Sequence, residues 1–185
     1  MLALPWRLFD SSEEGLQINN HTLKVVQQAN SPDGSGLTVW DCAFVLAKYL
    51  EKQAPGLVEG KSVLELGAGT GLVGLAAHFL GAKQVVGASH ALVHKLTHAA
   101  QCLTDLKYAL GNLNSNVVAN CAQDGVFCQE LDWTKPQDYR KVLRGMLPDV
   151  VLMSDIIWLA DQAPALVGQL VELCQQFAPE TLSFV

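Results

Sequence analysis

Charge is scarce in this chain. Only 16% of its 185 residues are charged, and acids outnumber bases 18 to 12, a formal net charge of −6. Unspecific nucleic-acid binding needs a basic face, which this balance does not supply. Paired-cysteine motifs are also missing. Cys42, Cys102, Cys121, Cys128 and Cys174 form no C-x-x-C, and their number is odd. The opening Met1–Trp6 has no long apolar h-region. Reduced thiols in a cytosolic or nuclear protein are the expectation. No apolar run reaches the ~18 residues of a membrane span. Internal repeats and low-complexity tracts are absent as well. What remains is half apolar, enough for one globular domain with a proper core.

The chain is organised around Ser62-Val-Leu-Glu-Leu-Gly-Ala-Gly-Thr-Gly71. Val63–Leu66 reads as a short buried strand, and Leu72–Leu80 as the helix after a glycine turn. Gly67 and Gly69 let the backbone turn sharply and approach a ligand without a Cβ in the way. The helix start aims free N–H groups at whatever sits over the turn. Two frames fit the glycines. Gly69-Thr-Gly71-Leu-Val-Gly74 satisfies G-x-G-x-x-G and formally allows a dinucleotide. Glu65-x-Gly67-x-Gly69-x-Gly71 adds an acid, which suits a cationic or amino-bearing ligand better than a pyrophosphate.

Around this centre the spacing predicts alternating elements. Residues 1–36 form an N-terminal extension, with a β-hairpin about Asn19-Asn20 and a loop over Asn30–Gly36. A helix over Thr38–Gln53, capped by Thr38, carries Phe44, Ala47 and Leu50 on one face. A second strand starts at Lys83–Val86. Further helices are expected over Tyr108–Val117, Gln137–Met146 and Ala163–Phe177, and strands over Gly125–Leu131, Pro148–Asp155 and from Glu180. Alternation of this kind means a doubly wound, mostly parallel α/β sheet.

One position is out of place. An acid that grips ribose hydroxyls belongs about 20 residues after the glycines. Asp105 stands 34 positions after Gly71; without the 16 residues Gly87–Cys102 the gap would be 18. We read 87–102 as an insertion that splits strand two from its acid. Within it His90, His94, His98 and Cys102 recur every fourth residue and would line one helical face. Pairs at that spacing can hold a metal, but no third ligand stands nearby, so an amphipathic helix is the plainer reading and no metal site is assigned.

Four motifs then line up: Val39-Trp-Asp-Cys-Ala43, Glu65-Leu-Gly-Ala-Gly-Thr-Gly71, Leu131-Asp-Trp133 and Ser154-Asp-Ile-Ile-Trp158. Together they resemble the methyltransferase-like protein-lysine methyltransferases, the group with the valosin-containing-protein and Hsp70 lysine methyltransferases. The similarity runs from about Gly15 to the end, apart from the insertion. It implies the seven-β-strand, Rossmann-like fold that binds S-adenosylmethionine (SAM), over residues 37–185. It also implies that the sheet is cut short after about strand five. By resemblance, Trp40 borders the methionine end of SAM. Gly67, Ala68 and Gly69 lie under it, Asp105 takes the ribose hydroxyls, and Trp133 covers the adenine face. Ser154 touches the cofactor, and Asp155 and Trp158 form the mouth where lysine enters. The family usually has Tyr where this chain has Trp158. The implied partner is a protein substrate, such as a chaperone, an AAA ATPase or a translation factor, with no nucleic acid and no membrane.

Each residue has a plainer reading. Trp40 and Trp133 could be core tryptophans, Asp105 a helix N-cap, and Trp158 a packing residue. Two other functions compete. A catalytically impaired isoform acting as a protein-binding module would fold but not bind SAM. A nicotinamide-dependent oxidoreductase would bind NAD(P), but Asp155-Ile-Ile-Trp158 offers no hydride-transfer chemistry.

Overall fold

The computed structural model describes residues 15–30, 32, 34–83, 101–120, 122, 125–135, 137–138, 142, 148–157, 160–176 and 183–184. The hairpin is present. β1 (Leu16–Ile18) and β2 (His21–Leu23) pair antiparallel, Ile18 opposite His21, across the two-residue turn Asn19-Asn20. Asn19 sits at φ 53°, a left-handed position that asparagine tolerates. This pair is a sheet of its own. Leu16, Ile18 and Leu23 are buried in the same cluster as Ala47, Leu75 and Ala76. The backbone N–H of Asn19 donates to Glu51 Oε1 at 2.7 Å and ties the turn to the next helix.

That helix, α1 (Asp41–Lys52), starts three residues later than the sequence suggests. Thr38 does not cap it: its hydroxyl donates to Asn30 Oδ1 at 2.8 Å instead. Trp40 holds the cap position, and its side chain makes no capping bond.

The main sheet has the order β5-β4-β3-β6-β7, every pair parallel. Its strands are β3 (Val63–Leu66), β4 (Gln101–Asp105), β5 (Val126–Glu130), β6 (Val150–Met153) and β7 (Ser183–Phe184). Three more helices join them: α2 (Leu72–Phe79), α3 (Leu110–Ala119) and α4 (Ala163–Gln176). Strand alternation buries both faces. Val63, Val150 and Leu152 point to the face with Leu50, Val73 and Ala77 of α1 and α2. Leu64, Leu66 and Val151 point to the opposite face with Leu166 and Leu173 of α4. Helices on both faces of a parallel sheet are the doubly wound, Rossmann-like arrangement that the sequence predicted.

The insertion boundary differs from the expectation. Gln101 and Cys102, assigned to an insertion over 87–102, are the first two residues of β4 and pair with Val126 and Phe127. Parallel pairing fills the strand with whichever residues precede Leu103. Cys102 is therefore buried in the sheet, not on a helical face with the three histidines. Val85, Val86, His90, His94 and His98 lie outside the described residues, as does most of 137–146. Among the described residues no helix is long and apolar enough to cross a membrane, and no cluster of three or more His, Cys, Asp or Glu could hold a metal.

Asparagines on α3 hold the extended segment that leads away from the hairpin. Asn112, Asn116 and Asn120 are one helical turn apart and face it together. Asn116 Oδ1 accepts from Val26 N at 2.8 Å, and its Nδ2 donates to Val26 O at 3.2 Å and Thr70 O at 2.9 Å. Asn120 pairs with both backbone groups of Lys24 in the same way. The segment thus gains side-chain partners where a strand would give it backbone ones.

Candidate functional site

In an open parallel sheet the strand order reverses at one point, and ligands bind outside the strand ends there. Here the chain runs outward from β3 to β4 and β5, then returns to the other side of β3 with β6. The loops after β3, β4, β5 and β6 meet at that reversal. They line a cleft of about 150 Å³ with the 35–40 segment.

The glycine turn forms the floor. Gly67 and Gly69 adopt φ 65° and 57°, and Gly71 φ 85°, all left-handed. A Cβ on Gly67 would stand 2.6 Å from Ile156 Cγ2, and one on Gly69 3.1 Å from Gly36 O. Glycine is needed here because other chain segments approach, as well as for its dihedrals.

Asp105 ends β4 beside the turn. Its Oδ2 accepts from Gly69 N at 2.7 Å and its Oδ1 from Leu106 N at 2.6 Å. It does not cap α3, whose N-cap is Ala109. Burial pushes its carboxyl above the ordinary range, while the two N–H donors pull it back down. Each oxygen keeps a lone pair after its backbone bond, so the carboxylate can accept two more donors. A vicinal diol such as a ribose presents two such donors. The residues present therefore fit the ribose of SAM.

Glu65 behaves otherwise than its motif suggests. It belongs to the α2 face of β3 and is 1% exposed. Gly74 N donates to its Oε2 at 2.9 Å. A Cβ on Gly74 would lie 2.1 Å from Leu103 Cδ2 and 2.5 Å from that oxygen. Glu65 does not line the cleft and cannot meet a cationic ligand there. Burial pushes its carboxyl up to about 8; the Gly74 N–H opposes the rise and Asp105 adds to it.

The structure brings Trp40, Gly67, Ala68, Gly69, Asp105, Trp133, Ser154 and Asp155 together around this one cleft. Trp158 lies outside the described residues. Trp40 is 47% exposed and is no core residue; its Nε1 donates to Ser35 O at 3.1 Å. Trp133 is half-buried, packed near Leu131 and Ile156. Asp155 is exposed, with a left-handed φ of 54° that is uncommon outside glycine.

Sequence reasoning missed a strap over the cleft. Gly36 N donates to the Tyr108 hydroxyl at 2.9 Å, so Tyr108 and Trp40 together pin residues 35–36 above Gly69 and Asp105. The signals were Gly34-Ser-Gly36 just before Val39-Trp40, and Tyr108 three residues after the acid. Composition alone marked the first as an ordinary loop. The cleft so covered is smaller than the ~300–1,000 Å³ of pockets that enclose small ligands.

A family model described as lysine methyltransferase matches residues 17–182. Among curated relatives, EEF1A lysine methyltransferase 3 of Xenopus tropicalis is 34% identical over 169 residues, 88% of this chain and 62% of its own length. Protein N-lysine methyltransferase METTL21A of Mus musculus is 37% identical over 158 residues, 84% of this chain and 62% of its own. The mouse EEF1A lysine methyltransferase 3 is 35% identical over 155 residues, covering 83% and 57%. The chain thus spans about three fifths of the length of these relatives. With a match over most of its length and a glycine turn, an acid and a cleft at the sheet's reversal, the chain belongs to the lysine methyltransferase family.

Proposed function

We propose that this protein transfers a methyl group from SAM to the side-chain amine of a lysine in a protein partner. The observation that carries the reading is Asp105. Its two oxygens are anchored once each by backbone N–H groups beside the glycine turn, and each keeps a lone pair for a further donor such as a ribose hydroxyl. When bound, SAM supplies a methyl group on a positively charged sulfur, already activated for transfer. Little else is required beyond position. Gly67, Ala68 and Gly69 lie under the cofactor, Trp133 covers its adenine, and Trp40 borders its methionine end. Ser154 touches it from the end of β6. Asp155 forms the mouth for lysine. Asp155 orients the amine, which must arrive neutral, through its carboxylate or its carbonyl oxygen. The amine releases its second proton to solvent at that exposed mouth. Holding nitrogen and methyl in line provides most of the rate.

The relatives' names include EEF1A, so a translation factor is the first acceptor to test. Reduced thiols agree with a cytosolic or nuclear site of action. Calorimetric titration of SAM into the chain and into Asp105→Asn tests the cofactor half. We expect measurable binding that the variant weakens at least about tenfold, the worth of one charge-assisted hydrogen bond. Tritiated SAM with recombinant EEF1A and with cell extract tests transfer. A folded chain without SAM affinity would favour a protein-binding module instead.

A further inference from the structure

The strap is held differently at its base and at its tip. At the base, Gln28 N donates to Leu37 O and Val39 N to Gln27 Oε1, both at 2.8 Å. Leu37, Thr38 and Val39 are buried there. These bonds lie within the N-terminal segment itself. The tip, Gly34–Gly36, is reached by two side chains. Gly36 N donates to the Tyr108 hydroxyl at 2.9 Å, and Trp40 Nε1 donates to Ser35 O at 3.1 Å. Tyr108 stands in the turn between β4 and α3, three residues after the acid. It lines the cleft together with Gly36 and Asp105. The fit is close. A Cβ on Gly34 would stand 2.3 Å from the phenol oxygen, and one on Gly36 2.9 Å from it. Two glycines let the chain wrap tightly round that oxygen. The Cβ position of Gly36 also lies 3.5 Å from Asp105 Oδ2 and 3.6 Å from Gly69 Cα. The tip therefore rests against the acid and the glycine turn at once.

We propose that Tyr108 is a positioning residue for the cofactor: its phenol oxygen holds residues 34–36 as a clamp beside Asp105, and the clamp slows the departure of the ribose that Asp105 binds. The role rests on the SAM reading above; the hydrogen bond itself does not. The oxygen matters more than the ring. Phenylalanine would fill nearly the same volume but offer Gly36 N–H no acceptor, and a half-buried N–H without a partner is unfavourable. Methyl transfer breaks the bond between sulfur and methyl and leaves a neutral sulfide, S-adenosylhomocysteine, on the same ribose. The clamp thus acts on spent cofactor as well as on fresh. Loosening it should speed the exchange of both. KM for SAM should rise, kcat should not fall, and KM for the acceptor should stay the same.

Two experiments separate the contact from its role. The first follows hydrogen–deuterium exchange of the 33–38 peptide by mass spectrometry, in the full chain and in Tyr108→Phe without ligand. Faster exchange in the variant is expected, because Gly36 N–H loses its acceptor. Equal exchange overturns the contact. The second chases bound tritiated SAM with unlabelled SAM in wild type, Tyr108→Phe, Gly36→Ala and the double variant. Tyr108→Phe should dissociate about three- to tenfold faster, the worth of one neutral hydrogen bond, with association nearly unchanged. Gly36→Ala should also speed dissociation, since its methyl would meet the phenol oxygen at 2.9 Å. In the Tyr108→Phe background that oxygen is gone, so the same methyl should add little. Such non-additivity is what a general loosening of the fold would not produce. Unchanged dissociation in Tyr108→Phe overturns the clamp and leaves the SAM reading standing. Faster association with tighter binding overturns it as well, making the strap a barrier to entry. Fully additive effects overturn the phenol oxygen as the holding group. No SAM binding by wild type overturns the SAM reading and the role with it, while the exchange rates still decide the contact.

Discussion

Glu65 makes stability depend on pH in a direction opposite to most carboxylates. Its carboxyl is pushed from an ordinary 4.5 to about 8, chiefly by burial under α2. Between those values the folded chain holds a proton that the unfolded chain releases. The unfolded state binds fewer protons, so stability falls as pH rises through this window. The slope for one group is about 1.4 kcal/mol per pH unit, hence about 3 kcal/mol between pH 5 and pH 7. That is a large part of the ~5–15 kcal/mol that keeps a domain folded. Glu65→Gln replaces the protonated acid with a neutral amide whose oxygen can still accept from Gly74 N. The cost of the swap is then the same at every pH, and the difference between the proteins isolates the carboxyl. Urea unfolding of both at pH 5, 6, 7 and 8 should show the variant gaining on wild type by about 1.4 kcal/mol per unit up to pH 8. Parallel curves would refute the reasoning, because they would mean that the folded state ionises Glu65 as easily as the unfolded one.

Two further perturbations follow from the same geometry. Gly67→Ala places a methyl 2.6 Å from Ile156 Cγ2 at φ 65°, so urea unfolding should show a loss of about 1–3 kcal/mol; an unchanged midpoint would mean that Ile156 is not seated over the turn. Asn116→Ala orphans Val26 N–H and Thr70 O, while Val26 O keeps its bond from Asn112 Nδ2 at 3.1 Å, and the same assay should show a loss of about 1–3 kcal/mol; a loss under ~0.5 kcal/mol would mean that water takes over those bonds.

The sheet was legible because its strands obey simple rules. Val63–Leu66 and Val150–Met153 are short apolar runs, each followed by turn or acidic residues, and both are central strands. The glycine turn and Asp105 were legible as a pattern, since left-handed dihedrals and a strand-end acid each demand particular residue types. Glu65 was misread because a motif gives spacing but not facing. Strand alternation turns it from the cleft, and only the missing Cβ of Gly74 reveals where it goes. The strap was not legible at all. Its position depends on Tyr108 and Trp40, which are 68 residues apart in sequence and converge on the segment only after the fold is made.

β4 shows why the candidate site can tolerate an unusual segment before it. The C-terminal end of the strand is fixed from outside. Ala68 N donates to Thr104 O at 2.9 Å and Leu131 N to Asp105 O at 3.0 Å. Thr104 Oγ1 donates to Glu65 O at 2.7 Å, and Gly69 N reaches the Asp105 carboxylate. The N-terminal end is a poor fit. Gln101 is fully buried, its Nε2 donates to Gly74 O, and its Oε1 has no partner among the described residues. An unpartnered amide oxygen in a sheet costs about 1–3 kcal/mol that an apolar residue would avoid. The strand accepts that cost at Gln101 because sliding by one residue to expel it would break the bonds at the other end. It would also turn Asp105 from one face to the other. Register is therefore set at the cleft, and whatever precedes Gln101 enters a strand whose functional end is already in place.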